Sequence, residues 1–376
     1  MNSQTPIDVL VVGLGPAGAA AAAAASAAGL RVIAIDRKEK AGLPVQCAEF
    51  VPAMTGSMLE AGQLALIGAS RRQTITSMTT FVAGDAPHLK EHFPGQMIDR
   101  VAFDAALVAA AMSAGAICRF GQIVDKIDER GVAHIAGGIR IAAKVIIGAD
   151  GPRSTVGRGI GQVNRDIAET RQISVPLLAA STSTDIFLSA GIPGGYAWLF
   201  PKGKTANLGL GIEPAQRMRL KPLLEDLHRQ LVAEGRVGQR ILRTTGGAIP
   251  VGGMLEPHGW IGEALVLLAG DACGLTNPVT GAGINAALIS GRLAGEAAAS
   301  FIGRHEDAVT AYHDELVDLF EVSLDRAIER REALLNTYAT SSGPTVSDFH
   351  RGWIAFPEFW TAFSEPQQSF TTEKTP

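Results

Sequence analysis

The segment Gly13-Leu14-Gly15-Pro16-Ala17-Gly18 constrains this chain more than any other. It has the form G-x-G-x-x-G, which alone is a weak signal. Here it follows a short, mostly β-branched run, Ile7 to Val12, and opens an alanine-rich stretch, Ala17 to Ala28. A buried strand is expected before it and a helix after it. Gly29 supplies the helix stop, and Arg31 to Ile35 reads as a second strand ending on Asp36. This is a βαβ unit, and in that context the glycines have separate tasks. Gly13 permits a tight turn, Gly15 lets the backbone approach a pyrophosphate, and Gly18 allows close packing of helix on strand. Pro16 and Ala17 open the helix, whose free N–H groups and positive dipole end suit phosphates. Asp36, with Arg37 beside it, is placed to accept both ribose hydroxyls. An acidic group there repels a 2′-phosphate, so the expected nucleotide is FAD or NAD rather than NADP.

A chain of 376 residues allows one large or two medium domains. The net charge of −4 implies no basic face, so nucleic acid is not an expected partner. Cys47, Cys118 and Cys273 are an odd number at unrelated spacings. No disulfide framework or zinc pattern follows, which suits a reducing compartment. Val9 to Val12 is too short for an export signal, and Ala17 to Ala28 is too short and too weakly apolar to span a bilayer. The expectation is a cytoplasmic protein, with peripheral membrane contact left open.

Further along, Val101 to Ala114 reads as a helix, and Lys144 to Ile147 and Leu265 to Leu268 as buried strands. Residues 171–212 alternate apolar with Ser and Thr around a glycine cluster, and read as an antiparallel sheet. Ala286 to Ala298 and most of 306–336 are helical patterns. From Ser341 a loop-rich tail carries Trp353, Phe356, Phe359 and Trp360, and residues from Pro366 onwards read as disordered.

Two later segments choose between FAD and NAD by resemblance. Ala149-Asp150-Gly151 after a strand resembles the DG motif of FAD-dependent monooxygenases and their relatives. Leu268-Ala269-Gly270-Asp271-Ala272, followed by Pro278, Gly281 and Gly283, resembles their GD motif. Arg100, before Phe103-Asp104, resembles the R..FD helix start of the same group. These motifs in order resemble the p-hydroxybenzoate hydroxylase group. The resemblance implies a Rossmann-type α/β FAD-binding domain with an inserted antiparallel substrate sheet and C-terminal helices. It implies FAD held by Asp150, Gly270, Asp271 and the residues that follow, Pro278, Gly281, Gly283, Ile284 and Asn285, with Arg100 near the pyrophosphate. From the residues alone, Arg100 could instead cap a surface turn.

Within that group the chain resembles geranylgeranyl reductases. Tyr196-Ala197-Trp198-Leu199-Phe200-Pro201, followed by Gly209-Leu210-Gly211, looks like their aromatic pocket motif, and Cys47-Ala48-Glu49 stands where that family has Cys-Gly-Glu. The resemblance implies a flavin-dependent reduction of a double bond in an apolar substrate, with NAD(P)H or another reductant as electron donor. Tyr196, Trp198 and Phe200 alternate on a strand and face one side, to line a pocket or to fill a core; Pro201 is taken with them as substrate-binding, and Tyr196 and Trp198 also as catalytic residues, Tyr196 for proton donation or positioning. Cys47 could lie beside the flavin as cofactor contact and catalytic group, or be a small buried thiol. Glu49 could be an acid or could close a loop.

The pattern also departs from the reductases. Ala48 replaces glycine, and Gly281-Ala282-Gly283 replaces Gly-Glu-Gly. Asn285 resembles the hydroxylase branch, and the aromatic tail resembles flavoproteins that oxidise aromatic or peptide-bound residues. A monooxygenase acting on an aromatic molecule or a protein side chain, and a non-catalytic flavin-binding assembly protein, therefore stand as alternatives. His88 and His92 stand four apart but lack a third ligand, so no metal is expected. Arg326, Arg330 and Arg331 are interleaved with acids and read as a solvated helix face. The expected FAD-binding domain comprises 1–70, 96–165 and 245–300, with a substrate domain of 71–95 and 166–244 and a C-terminal region of 301–365.

Overall fold

The computed structural model describes residues 7–53 and 58–361; the segment from Pro366 lies outside the described residues. Ile7–Val12 is a strand buried on both faces. It sits between Ile139–Gly148 and Val32–Ile35, parallel to both. Ile117–Arg119 extends the sheet in parallel beyond Val32–Ile35, and Ala264–Leu268 extends it beyond Ile139–Gly148. His258–Ile261 closes that edge antiparallel, and a small hairpin of Val124–Ile127 and Val132–Ile135 branches from Ile139–Gly148. Continuous apolar runs in these strands are what a sheet covered on both faces requires. The helices Pro16–Ala27, Arg100–Ser113 and Ile284–Ile302 pack with it into one core.

A second sheet of seven strands has the order 243–250, 167–176, 205–212, 197–202, 183–188, 77–82, 88–90. It is antiparallel, as expected, except where Ser183–Leu188 pairs with Ser77–Val82 in parallel. That pairing joins segments a hundred residues apart, and nothing local in the sequence announces it. The two faces of this sheet divide the strand Ala197–Lys202 by parity. Ala197 and Leu199 pack on Leu224 and Leu231 of a helix, Leu220–Ala233, that the sequence reading did not anticipate. Trp198 and Phe200 face the other way, towards Phe349, Trp353, Phe356 and Phe359. A third, three-stranded sheet pairs Gly95–Ile98 with Phe50–Pro52 and with Arg71–Ile75.

The tail is less irregular than its Pro and Gly content suggests. It forms a helix, Val346–Gly352, with a capping box between Thr345 and Asp348, and a 3₁₀ turn, Pro357–Trp360. The long helix Ala308–Tyr338 holds it in place, and here one expectation fails. Arg330 is 3% exposed and donates to the carbonyls of Phe359 and Thr361, while Arg331 donates to Gly194 O at 2.5 Å. Arg326 lies over the Trp360 ring at 5.6 Å. On the supposed solvated face, Arg326 and Arg330 dock the tail and Arg331 docks the Gly194 turn. Alternating acids suggested solvent, but orphan backbone carbonyls at a chain reversal need donors, and arginine reaches them.

Candidate active site

Because the strands of the first sheet run parallel, their C-terminal ends lie along one edge. Val12 pairs with Ile35 and Gly148, and Gly148 pairs with Leu268. Gly13, Asp36, Asp150 and Asp271, from four distant segments, therefore converge there. Gly13 has φ +98°, and a Cβ on it would stand 2.2 Å from Ala149 O. A Cβ on Gly18 would stand 1.8 Å from Gly13 O. Both glycines are required by the protein's own packing. Gly15 is not: its φ is −73°, and a Cβ there would meet nothing within 4 Å. A glycine that the protein does not need is one kept for something outside it.

Asp36 is 9% exposed and accepts from Leu14 N at 2.7 Å and Lys38 N at 2.8 Å. Arg37 is exposed and lines a cleft of about 520 Å³ with Leu43, Pro44 and Gln46. Asp150 turns inward, taking Ser154 Oγ at 2.5 Å and Thr155 N at 2.6 Å, and burial pushes its carboxyl above the usual range. Asp271 is likewise pushed up by burial and accepts from Thr276 Oγ1 at 2.8 Å.

The helix Ile284–Ile302 starts at Gly283 with no side-chain cap, just as Pro16–Ala27 starts at Gly15 without one. The two helices touch backbone to backbone. A Cβ on Gly291 would stand 2.1 Å from Ala17 O, and one on Gly295 2.5 Å from Ala21 O. Contacts in that order make the helices parallel, so both positive ends face the same edge. Pro278 and Gly281 lie in the loop before the second helix, which Asn277 Oδ1 orders by accepting from Val279 N and Thr280 N. Asn285 donates to Pro52 O at 3.2 Å.

The loop through Cys47 is pinned from several sides. Gln172 Nε2 donates to Cys47 O at 3.1 Å, and Gln172 Oε1 accepts from Trp198 Nε1 at 3.0 Å. Cys47 Sγ accepts from Glu49 N at 3.1 Å. Arg100 lies buried between Asp104, which its Nε meets at 2.9 Å, and the Cys47 sulfur. Burial opposes the guanidinium charge, but Asp104 and then Cys47 outweigh it and hold its pKa above the ordinary value. Arg100 thus does not cap a surface turn; Asp99 caps its helix instead.

Glu49 is 1% exposed and sits at φ +68°, unusual for a non-glycine residue. Its carboxylate accepts from Arg100 N at 3.1 Å, Lys202 Nζ at 2.8 Å and Asn207 Nδ2 at 2.9 Å, with Arg243 at 3.5 Å. Of the two roles considered for it, this geometry is that of a loop closure.

Tyr196, Trp198 and Phe200 share a face as expected, with ring centroids 5.7 and 6.2 Å apart in sequence, and Phe50 lies 5.7 Å from Phe200. Pro201 has the parity of Ala197 and Leu199 and belongs to the opposite face. Tyr196 OH donates to Thr280 O at 2.5 Å, so the aromatic strand is bonded directly to the loop that follows Asp271. Burial, and then the Cys47 sulfur, raise the Tyr196 pKa.

Residues 6–195 match the model of an FAD binding domain, and residues 169–249 that of a geranylgeranyl reductase catalytic domain. A digeranylgeranylglycerophospholipid reductase of Methanopyrus kandleri is 34% identical over 85% of this chain and 89% of its own length. The chain belongs to the geranylgeranyl reductase family. It is an FAD-binding oxidoreductase of that family. The digeranylgeranylglycerophospholipid reductase of Methanosarcina mazei is 32% identical over 84% of this chain and 79% of its own length. A geranylgeranyl bacteriochlorophyll reductase-like protein of Thermoplasma acidophilum has the same fold, with a TM-score of 0.77 at 24% identity over 92% of this chain and 95% of its own. A probable FAD-dependent monooxygenase of Pseudomonas aeruginosa shares the fold more distantly, with a TM-score of 0.66 at 18% identity over 89% of this chain and 97% of its own.

The donor set fits FAD. Two uncapped helix ends, an acidic strand end and the open space beside Gly15 could hold a dinucleotide. The reading from sequence missed Gln172, Lys202, Asn207 and Arg243, which tie the Cys47 loop to the substrate sheet. Asn207 carried a signal: a lone amide between Ala206 and Leu208 in an apolar strand needs a partner. No helix among the described residues is long and apolar enough to cross a membrane.

Proposed function

We propose that this enzyme reduces a carbon–carbon double bond of an isoprenoid-like, hydrophobic substrate. The observation that carries this reading is the double attachment of the aromatic face. Trp198 reaches Cys47 through Gln172, and Tyr196 reaches the Asp271 loop through Thr280. An apolar chain laid on that face would lie between the Cys47 loop and the flavin-side loop. The names of the relatives, reductases of a geranylgeranyl lipid, support the substrate class. When bound, FAD supplies the hydride, with NAD(P)H as the proposed donor.

The chain's own residues would do the rest. Gly13, Gly15, Gly18 and Asp36 would hold the adenosine and pyrophosphate portion, and the end of Ile284–Ile302 the flavin side. Tyr196, Trp198 and Phe200 would exclude water and orient the chain. Cys47, with Arg100 at its sulfur, and Tyr196 would position the alkene or hold the proton that completes the reduction. A lipid substrate would bring the enzyme to a membrane surface.

The test is anaerobic incubation of the FAD-loaded protein with NADPH and a geranylgeranyl lipid, read by mass spectrometry. Gain of two hydrogens per double bond supports the reading. Substrate-dependent oxygen uptake in air with an added oxygen atom in the product would replace it with a monooxygenase. No reduction of the bound flavin by any donor would favour the assembly protein.

A further inference from the structure

The aromatic tail lies beyond residue 249, where the matched domains stop, and nothing above gives it work. It nevertheless covers the substrate face. Trp353 places its ring 4.7 Å from that of Tyr196, closer than Trp198 does, and is 4% exposed. The polar tips of three neighbouring aromatic residues are satisfied. Tyr196 OH bonds Thr280 O, Trp198 Nε1 bonds Gln172, and Trp360 Nε1 bonds Ile354 O. Trp353 Nε1 is buried and has no acceptor among the described residues.

A second orphan lies under the same tail. Thr80 is 0% exposed and its Oγ1 has no partner among the described residues. It shares a strand face with Met78 and Val82, both in the aromatic cluster. Thr80 pairs with His88, whose ring is 4.7 Å from Phe356 of the tail. Buried polar groups without partners are uncommon, and one whose ring lies against Tyr196 asks for an acceptor from outside the chain.

We infer that the tail is the outer wall of the substrate site, and that Trp353 Nε1 donates a hydrogen bond to an oxygen at the polar end of an otherwise apolar substrate. This rests on the isoprenoid reading. The indole thereby sets which end of the chain lies by Tyr196. Trp353 is a binding residue and takes no part in proton or hydride transfer.

The test uses the FAD-loaded full chain with two probes in detergent: geranylgeraniol, and the hydrocarbon of the same skeleton without the oxygen. Binding is read from perturbation of the flavin absorbance and from the indole ¹⁵N–¹H resonance that W353F removes. Geranylgeraniol should move that resonance downfield, and the hydrocarbon should not. W353F should keep its FAD and bind geranylgeraniol about fivefold more weakly, with hydrocarbon binding unchanged. Equal loss for both probes would make Trp353 a packing residue and overturn the inference. So would an unmoved resonance on saturation with geranylgeraniol. If the wild-type chain binds neither probe, the isoprenoid reading itself falls and takes the inference with it.

Discussion

The ammonium of Lys202 stands 2.8 Å from the carboxylate of Glu49, with side-chain exposures of 17% and 1%. This pair joins the end of the aromatic strand to the loop that carries Cys47. A buried charge stripped of its partner is costly, whereas removing both charges is much less so. Glu49→Gln should lower stability by about 3 kcal/mol in urea unfolding. The double variant with Lys202→Met should recover a good part of that loss. Additive losses would mean that the two groups do not act as a pair.

Gly15 and Gly18 should respond in opposite ways to alanine. Gly18→Ala drives a Cβ against Gly13 O and should destabilise the fold by about 3 kcal/mol or more. Gly15→Ala meets only open space at a backbone conformation that any residue adopts, so unfolding of the apoprotein should be nearly unchanged. Its FAD affinity, titrated by fluorescence quenching, should fall roughly tenfold or more. Retained affinity would show that no ligand backs onto Gly15.

This contrast also marks how far the sequence was legible. Spacing showed that Gly13, Gly15 and Gly18 belong to one turn, because the strand, turn and helix around them are local. The same holds for Trp198 and Phe200, whose shared face follows from strand parity. The partners of Glu49 were not legible. Lys202, Asn207 and Arg243 reach it only because the second sheet lies against residues 44–49, and that juxtaposition is long-range. Arg330 misled for a related reason: its neighbours in sequence suggested solvent, while its neighbours in space are the carbonyls of the tail.

Asp185 should give the protein a pH-dependent stability. Burial pushes its carboxyl up to about 6, although Arg236 pulls the other way. Between about pH 4 and pH 6 the folded protein keeps a proton that the unfolded chain has released. Its contribution to stability therefore falls as pH rises across that window, and is constant above it. Urea unfolding of the wild type and Asp185→Asn, compared at pH 4.5 and 6.5, should show the wild type losing on the order of 2 kcal/mol more than the variant. Parallel pH dependence in the two proteins would contradict this.

Arg330→Met keeps the bulk of the side chain but removes the donors to Phe359 O and Thr361 O. The Phe359 carbonyl would be left buried and unpaired, at a cost of about 2 kcal/mol. The tail should loosen before the rest of the molecule does. Limited proteolysis should cut the variant first near residues 340–345, and its near-ultraviolet circular dichroism should weaken at 25 °C. A tail as resistant as the wild type's would show that aromatic packing alone holds it.

Gly291 on Ala17 and Gly295 on Ala21 leave no side chain between the two helices that face the cofactor edge. The two positive ends are therefore one rigid jaw, and their separation cannot widen without parting backbone from backbone. A dinucleotide held between those ends would have to enter and leave on the other side of the cleft, where the segment Pro44 to Ala48 is held by the side chains of Gln172, Asn207 and Thr245. The rate of cofactor exchange would then follow the lifetime of a few hydrogen bonds on that loop, with the helices as the fixed gauge against which it opens.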